Sequence, residues 1–173
     1  PFKHVDRITV HLWGELVGAV ARDPGYGYYA FAYAPEWVDT GIELAPLHMP
    51  LAEGETYLFP DLPELTYKRL PAMLSDALPD DFGNALINRY MAERGVSADN
   101  VTALDRLAYM GERSMGALTF RPAHGPKKTK ATAIELGRLV TEARSAVTGQ
   151  VDHDDNTNAA LRTIIDVGTS AGG

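Results

Sequence analysis

The sequence predicts an α+β fold, with an N-terminal antiparallel sheet or partial barrel followed by a helical subdomain. Three observations carry this. Ile8, Val10 and Leu12 alternate with Thr9, His11 and Trp13, the period of a half-buried strand. Tyr29, Phe31 and Tyr33 repeat the alternation on another candidate strand. Leu70, Met73, Leu74 and Ala77 then fall at i, i+3, i+4 and i+7, which lines one side of a helix with apolar groups.

In chain order, Gly14-Glu15 suits a type II′ turn between the first strand and a return strand from Leu16 to Ala21. Gly25 and Gly27 open the aromatic third strand, and Ala34-Pro35-Glu36-Trp37 reads as a turn starting a short helical piece. Pro46 and Pro50 favour an extended edge segment, since proline cannot donate to a ladder. Glu55 to Phe59 reads as a further strand, for a sheet of four or five. Pro71 suits the first turn of the next helix, which Pro79 stops. Asp80 or Asp81 caps its successor, whose stripe is Phe82, Ala85, Leu86 and Tyr90 and whose end is Gly95. Asp99 or Asn100 is expected to cap a helix bearing Leu104, Leu107 and Ala108, and Leu118 with Phe120 suggests a strand. Beyond Pro122 come a basic, proline- and glycine-containing stretch and two apolar stripes, Leu136 to Val147 and Ala160 to Ile165, separated by a polar gap. Residues 1–122 are therefore assigned to one subdomain, 123–131 to a linker and 132–173 to a helical segment ending in a glycine-rich run.

Composition narrows the function. At 173 residues and 45% hydrophobic content, the chain is long enough for a packed core. No window approaches the run of about eighteen apolar residues that a membrane-crossing helix needs, so no membrane partner is expected. Asp6 and Arg7 interrupt any signal-peptide core, and the cytoplasm is the expected compartment. A net charge of −7 leaves no cationic excess for direct nucleic-acid binding. The dense run Lys127-Lys128-Thr129-Lys130 reads as a solvated connector.

Most site patterns fail. Asp152-His153-Asp154-Asp155-Asn156-Thr157-Asn158 places oxygens at alternate positions, but Thr157 and Thr163 stand where a calcium loop needs glycine and glutamate. The five histidines lack zinc spacing, and Ser114 and Ser170 lack a nucleophile elbow. No metal site and no catalytic residue is assigned. Arg113 is a salt-bridge partner or an anion ligand, the former favoured. Val167 to Gly173 is the one stretch with anion-binding character: glycine and small hydroxyl residues let successive N–H groups converge on an anion.

Four stretches resemble one family in the same order. They are Tyr28 to Leu51 (aromatic strand, Pro-Glu-Trp turn, Leu-Ala-Pro-Leu-His-Met-Pro-Leu), Leu70 to Gly95 (with LPDDFGNALI), Gly111 to Leu118 (GERSMGAL) and the closing VGTSAGG. These resemble HipA-type serine/threonine kinases, toxins of bacterial toxin–antitoxin pairs. The resemblance implies that the chain ends at the start of a kinase-like N-lobe, as the N-terminal part of a longer protein. It implies ATP- and Mg2+-dependent phosphorylation of a protein serine or threonine, with an aminoacyl-tRNA synthetase as family-type target. It further implies a HipB-like helix-turn-helix antitoxin that would supply the DNA contact. Gly168, Thr169, Ser170, Ala171, Gly172 and Gly173 would bind ATP, with Ser170 a site of autophosphorylation, which would switch the kinase off by repelling ATP. His-Arg-Asp and Asp-Phe-Gly signatures are absent, so the isolated chain is expected to be inactive. The alternative is a non-catalytic module that binds an antitoxin, a second copy of itself or a catalytic lobe. Tyr29, Trp37 and the 46–50 proline stretch are its contact candidates if exposed.

Overall fold

A computed structural model describes residues 2–23, 25, 27–114 and 116–126. Four strands, β1 (Arg7–Leu12), β2 (Glu15–Arg22), β3 (Tyr29–Tyr33) and β4 (Leu118–Arg121), form one antiparallel sheet in the order β3-β2-β1-β4. Five helices accompany it: α1 (Pro35–Val38), α2 (Glu64–Tyr67), α3 (Ala72–Ser75), α4 (Asp81–Ala92) and α5 (Ala103–Met110). The expected α+β class is the architecture found, except that the chain returns to the sheet after the helices to add β4.

The strand patterns become one buried face. Ile8, Val10, Val20, Phe31 and Phe120 are fully buried on it. The β1–β2 connection differs from expectation: Trp13 and Gly14 occupy the turn with φ of 50° and 91°, the two positive values of a type I′ hairpin. Glu15 is already in the strand, paired with Leu12. The β1–β2 register shifts at Val10/His11, leaving Val17 as an extra residue. That bulge changes the phase of the alternation, so Val17 and Gly18 are both buried although they are neighbours.

The fourth strand comes from Leu118 and Phe120, not from residues 55–59. Only Tyr57 pairs there, through an isolated bridge to Phe31 with N···O distances of 2.8 and 3.0 Å. Pro60, which has no N–H, follows directly. The prolines at 46 and 50 do not form an extended edge either. Ala45 and Met49 close a tight turn, with Met49 N donating to Ala45 O at 2.8 Å.

The helical corner is real, with shifted boundaries. Leu70, Leu74 and Ala77 are buried as the stripe requires, but α3 is one turn long, Pro71 is its N-cap residue, and it ends before Pro79. Asp80 caps α4, its Oδ1 accepting from Gly83 N at 2.8 Å. The buried side of α4 is Gly83, Leu86, Ile87 and Met91, whereas Ala85 is exposed. The expected stripe was rotated by about one position because Pro79 packs against Gly83, where a Cβ would lie 2.5 Å from Pro79 Cβ.

Helix α5 is the hub. Every residue from Ala103 to Met110 is buried except Arg106. Leu104, Leu107 and Ala108 join the core beneath the sheet, while Tyr109 and Met110 join a second cluster with Leu86, Ile87 and Met91. Its cap is Thr102, not Asp99 or Asn100, which lie in a preceding 3-10 turn. Thr102 Oγ1 accepts from Asp105 N, and the Asp105 carboxylate accepts from Thr102 N, a reciprocal capping box. Gly111 ends the helix at φ 53°, and its carbonyl accepts from Phe120 N at 2.9 Å, tying α5 to β4. An added Cβ there would lie 2.7 Å from Ala123 Cβ, so the close approach of the chain after β4 needs glycine at this position.

Candidate functional site

The end of the β2–β3 hairpin, the exit of α2 and the start of α5 meet in a cleft of about 690 Å³. Arg22 closes β2 opposite Tyr29. Gly27 lies in the turn between them with φ 72°, and its N–H donates to Asp23 O. Lys68 and Arg69 follow α2 in left-handed backbone, φ 52° and 63°, a conformation that non-glycine residues keep only when their surroundings enforce it. The enforcing contacts are visible: Lys68 N donates to Glu64 O at 2.8 Å and Leu70, fully buried, donates to Tyr67 O at 2.9 Å.

This backbone path brings two guanidinium groups over Gly27. A Cβ at that position would stand 3.3 Å from Arg69 Nη1 and 3.9 Å from Arg22 Nη2. Arg69 also donates to Glu64 Oε2 at 2.7 Å and lies 5.8 Å from the centre of the Tyr28 ring. From α5, Arg106 donates through Nη1 to Asn84 Oδ1 at 3.0 Å and through Nη2 to Asn88 Oδ1 at 2.9 Å. Those two amides belong to α4, so Arg106 joins the helices without losing its charge to a carboxylate. Burial pushes its guanidinium below the ordinary value, opposed by the nearby Asp105 charge.

Four cationic side chains therefore line the cleft (Arg22, Lys68, Arg69 and Arg106) against two carboxylates, Glu64 and Asp99. In a chain of net charge −7 the local sign is inverted. Chemically the site can hold an anion through forked N–H donors. Tyr29 forms its floor, and burial drives that phenol above its ordinary value, partly offset by a hydrogen bond with the Ala103 backbone. Since the neutral form is favoured in the fold, stability is fully present below the unfolded value near 10 and is lost as pH rises toward the folded one. The urea midpoint is expected to fall above about pH 10, and to fall less in Tyr29→Phe.

Other sequence-derived candidates fare differently. Gly168 to Gly173, including Ser170, and the polar gap 152–158 lie outside the described residues, as do the stripes after residue 131. Trp37 and Tyr29 are buried, 5% and 6% exposed, so they serve the core and offer no contact surface. Pro46 and Pro50 are exposed. Arg113 is buried, donating to Tyr109 O at 2.8 Å and lying 5.0 Å from its ring centre. Among the described residues no group of three or more acidic or histidine side chains could hold a metal ion. No helix among them is long and apolar enough to cross a membrane. The cleft itself escapes local sequence reading, because its cations come from positions 22, 68, 69 and 106 with no shared motif. Thr102-x-x-Asp105 is the one local signal of this region, a capping box that marks the start of α5.

A family model described as the HipA N-terminal domain matches residues 8–121. The match runs from β1 to β4 and takes in the whole sheet, both helical clusters and the cleft. No curated protein matches the chain.

Proposed function

We propose that this chain, which belongs to the HipA N-terminal domain family, is the non-catalytic N-terminal module of a toxin kinase in a toxin–antitoxin pair. The single observation behind this reading is the family match over residues 8–121, supported by an α+β unit complete across that span. The parent protein would phosphorylate serine or threonine on a protein substrate, an aminoacyl-tRNA synthetase by family type, in the cytoplasm. A helix-turn-helix antitoxin would neutralise it and carry the DNA contact for which an acidic chain is unsuited.

ATP would be held by Gly168 to Gly173. The described residues offer no cluster for Mg2+, so the metal and the catalytic base are assigned to the catalytic lobe. A phosphate on Ser170 would add about −1.5 to −2 charges beside the nucleotide and switch the kinase off. Mass spectrometry of the ATP-treated parent protein should find Ser170 modified, and Ser170→Ala should stay active under the same treatment. An unmodified Ser170 after sustained turnover would remove the switch.

A second reading, a surface for protein partners alone, keeps the 46–50 stretch among the expected candidates, exposed at Pro46, Leu47 and Pro50. It adds Trp13 and Leu65 in place of the buried Tyr29 and Trp37. Trp13 at the hairpin tip, Leu47 and Leu65 are 82%, 89% and 86% exposed. Large apolar side chains so exposed are favourable anchors for a partner. Co-purification of the chain with its antitoxin, lost in Trp13→Ser or Leu47→Ser, would support that reading.

A further inference from the structure

We propose that the cationic cleft between the β2–β3 turn, the exit of α2 and the start of α5 binds a small phosphate monoester. Nothing in this depends on the kinase reading, and the argument uses none of the residues 168–173.

Charge comes first. Of α5, Ala103 and Arg106 line the cleft, and the hydrogen-bond partners of Arg106 are two neutral amides. The nearby Asp105 carboxylate offsets part of its burial but is committed to His4, Val5 N and Thr102 N. No carboxylate is therefore bonded to this guanidinium, and an anion in the cleft would complete it. Arg22, on the opposite wall, has no side-chain partner among the described residues, yet its Nη2 comes near Gly27 beside Arg69 Nη1. Glu64 offsets Arg69, whereas the exposed Arg22 brings a second guanidinium over Gly27 with no carboxylate bonded to it among the described residues.

Stoichiometry and size come next. Four cations against Glu64 and Asp99 leave a surplus of two positive charges. A phosphate monoester carries about −1.5 to −2 at neutral pH, which matches it, whereas a diester or single carboxylate carries one. The volume of about 690 Å³ is that of a small-molecule site and exceeds what one phosphate needs. Thr102 and Asn100 on the wall supply neutral polar groups for the rest of the molecule. Glu64 now occupies one edge of the Arg69 fork at 2.7 Å and stands where the ligand oxygens would go. It is a competitor, and an incoming phosphate would displace it.

That competition gives an opposite-sign test. The chain would be titrated with inorganic phosphate, with AMP and with duplex DNA at fixed ionic strength, and followed by amide chemical shifts and by calorimetry. Phosphate and AMP should move the Gly27, Arg69 and Thr102 amides. Arg22→Ala, an exposed position that leaves the fold intact, should weaken AMP by about tenfold, the worth of one charge-assisted contact. Glu64→Gln should tighten it, because Arg69 is released. Three results would overturn the proposal: no saturable binding of AMP, shifts confined to residues 168–173, or DNA bound more tightly than AMP with no dependence on Glu64.

Discussion

Replacing Asp105 by alanine is expected to remove about 3–5 kcal/mol of stability, the largest single loss in the molecule. The carboxylate is 1% exposed. Its Oδ1 accepts from Val5 N at 2.9 Å, and its Oδ2 accepts from Thr102 N at 3.0 Å and lies 2.7 Å from His4 Nδ1. One side chain thus starts the hub helix and pins the N-terminal segment across about a hundred positions of sequence. Its removal leaves the buried Val5 N–H and the part-buried Thr102 N–H without an acceptor and strips the capping box, itself worth about 1 kcal/mol. Domains of this size are stable by about 5–15 kcal/mol, so the variant sits close to unfolding. Urea denaturation followed by circular dichroism measures it. Asp105→Asn should lose less, because its one carbonyl oxygen still accepts, but its NH2 faces a donor. Equal losses in the two variants would show that the charge, not the acceptor geometry, matters.

The second large effect is expected at Gly18. The bulge at Val17 pulls this residue against β3, so that an added Cβ would collide with the backbone carbonyl of Ala32 and stand 2.9 Å from Phe31 Cζ and 3.0 Å from Tyr33 Cα. Backbone in the middle of a sheet cannot swing aside as a long side chain can. Gly18→Ala should therefore cost about 3 kcal/mol, the upper end for overpacking, although alanine is otherwise as acceptable in a strand as glycine. The urea midpoint again reads it. A control at Gly14, where nothing lies within 4 Å of an added Cβ, separates crowding from backbone strain, since φ there is 91° and only strain would be felt.

Local patterns showed the strands and the helical corner, because side-chain alternation and one-sided stripes are recorded in neighbouring residues. β1, β3 and the Leu118–Phe120 strand were legible for that reason, as were the Pro35 turn and the Asp80 cap. What failed was decided by packing that side-chain periodicity does not record. Residues 55–59 alternate acceptably, yet only Tyr57 finds backbone to pair with, on Phe31. The stripe on α4 was displaced because Pro79 packs on Gly83, a fit that no periodicity encodes. The centre of the fold is α5, whose eight residues look ordinary until their burial on both sides is seen. Aromatic residues that looked like contact surface, Trp37 and Tyr29, fill the core. Trp37 is held by its indole N–H donating to Ile42 O at 3.1 Å. The cleft was least legible of all: electrostatic convergence of residues 22, 69 and 106 exists only after folding.

Phosphoryl transfer measured with γ-labelled ATP and Mg2+ is the most direct test of the account, on the 173-residue chain and on the parent protein side by side. The parent should label a protein serine or threonine and lose that labelling in Gly172→Val, while the chain alone turns over no ATP. Turnover by the chain alone, or a parent that binds antitoxin but never transfers phosphate, would contradict it.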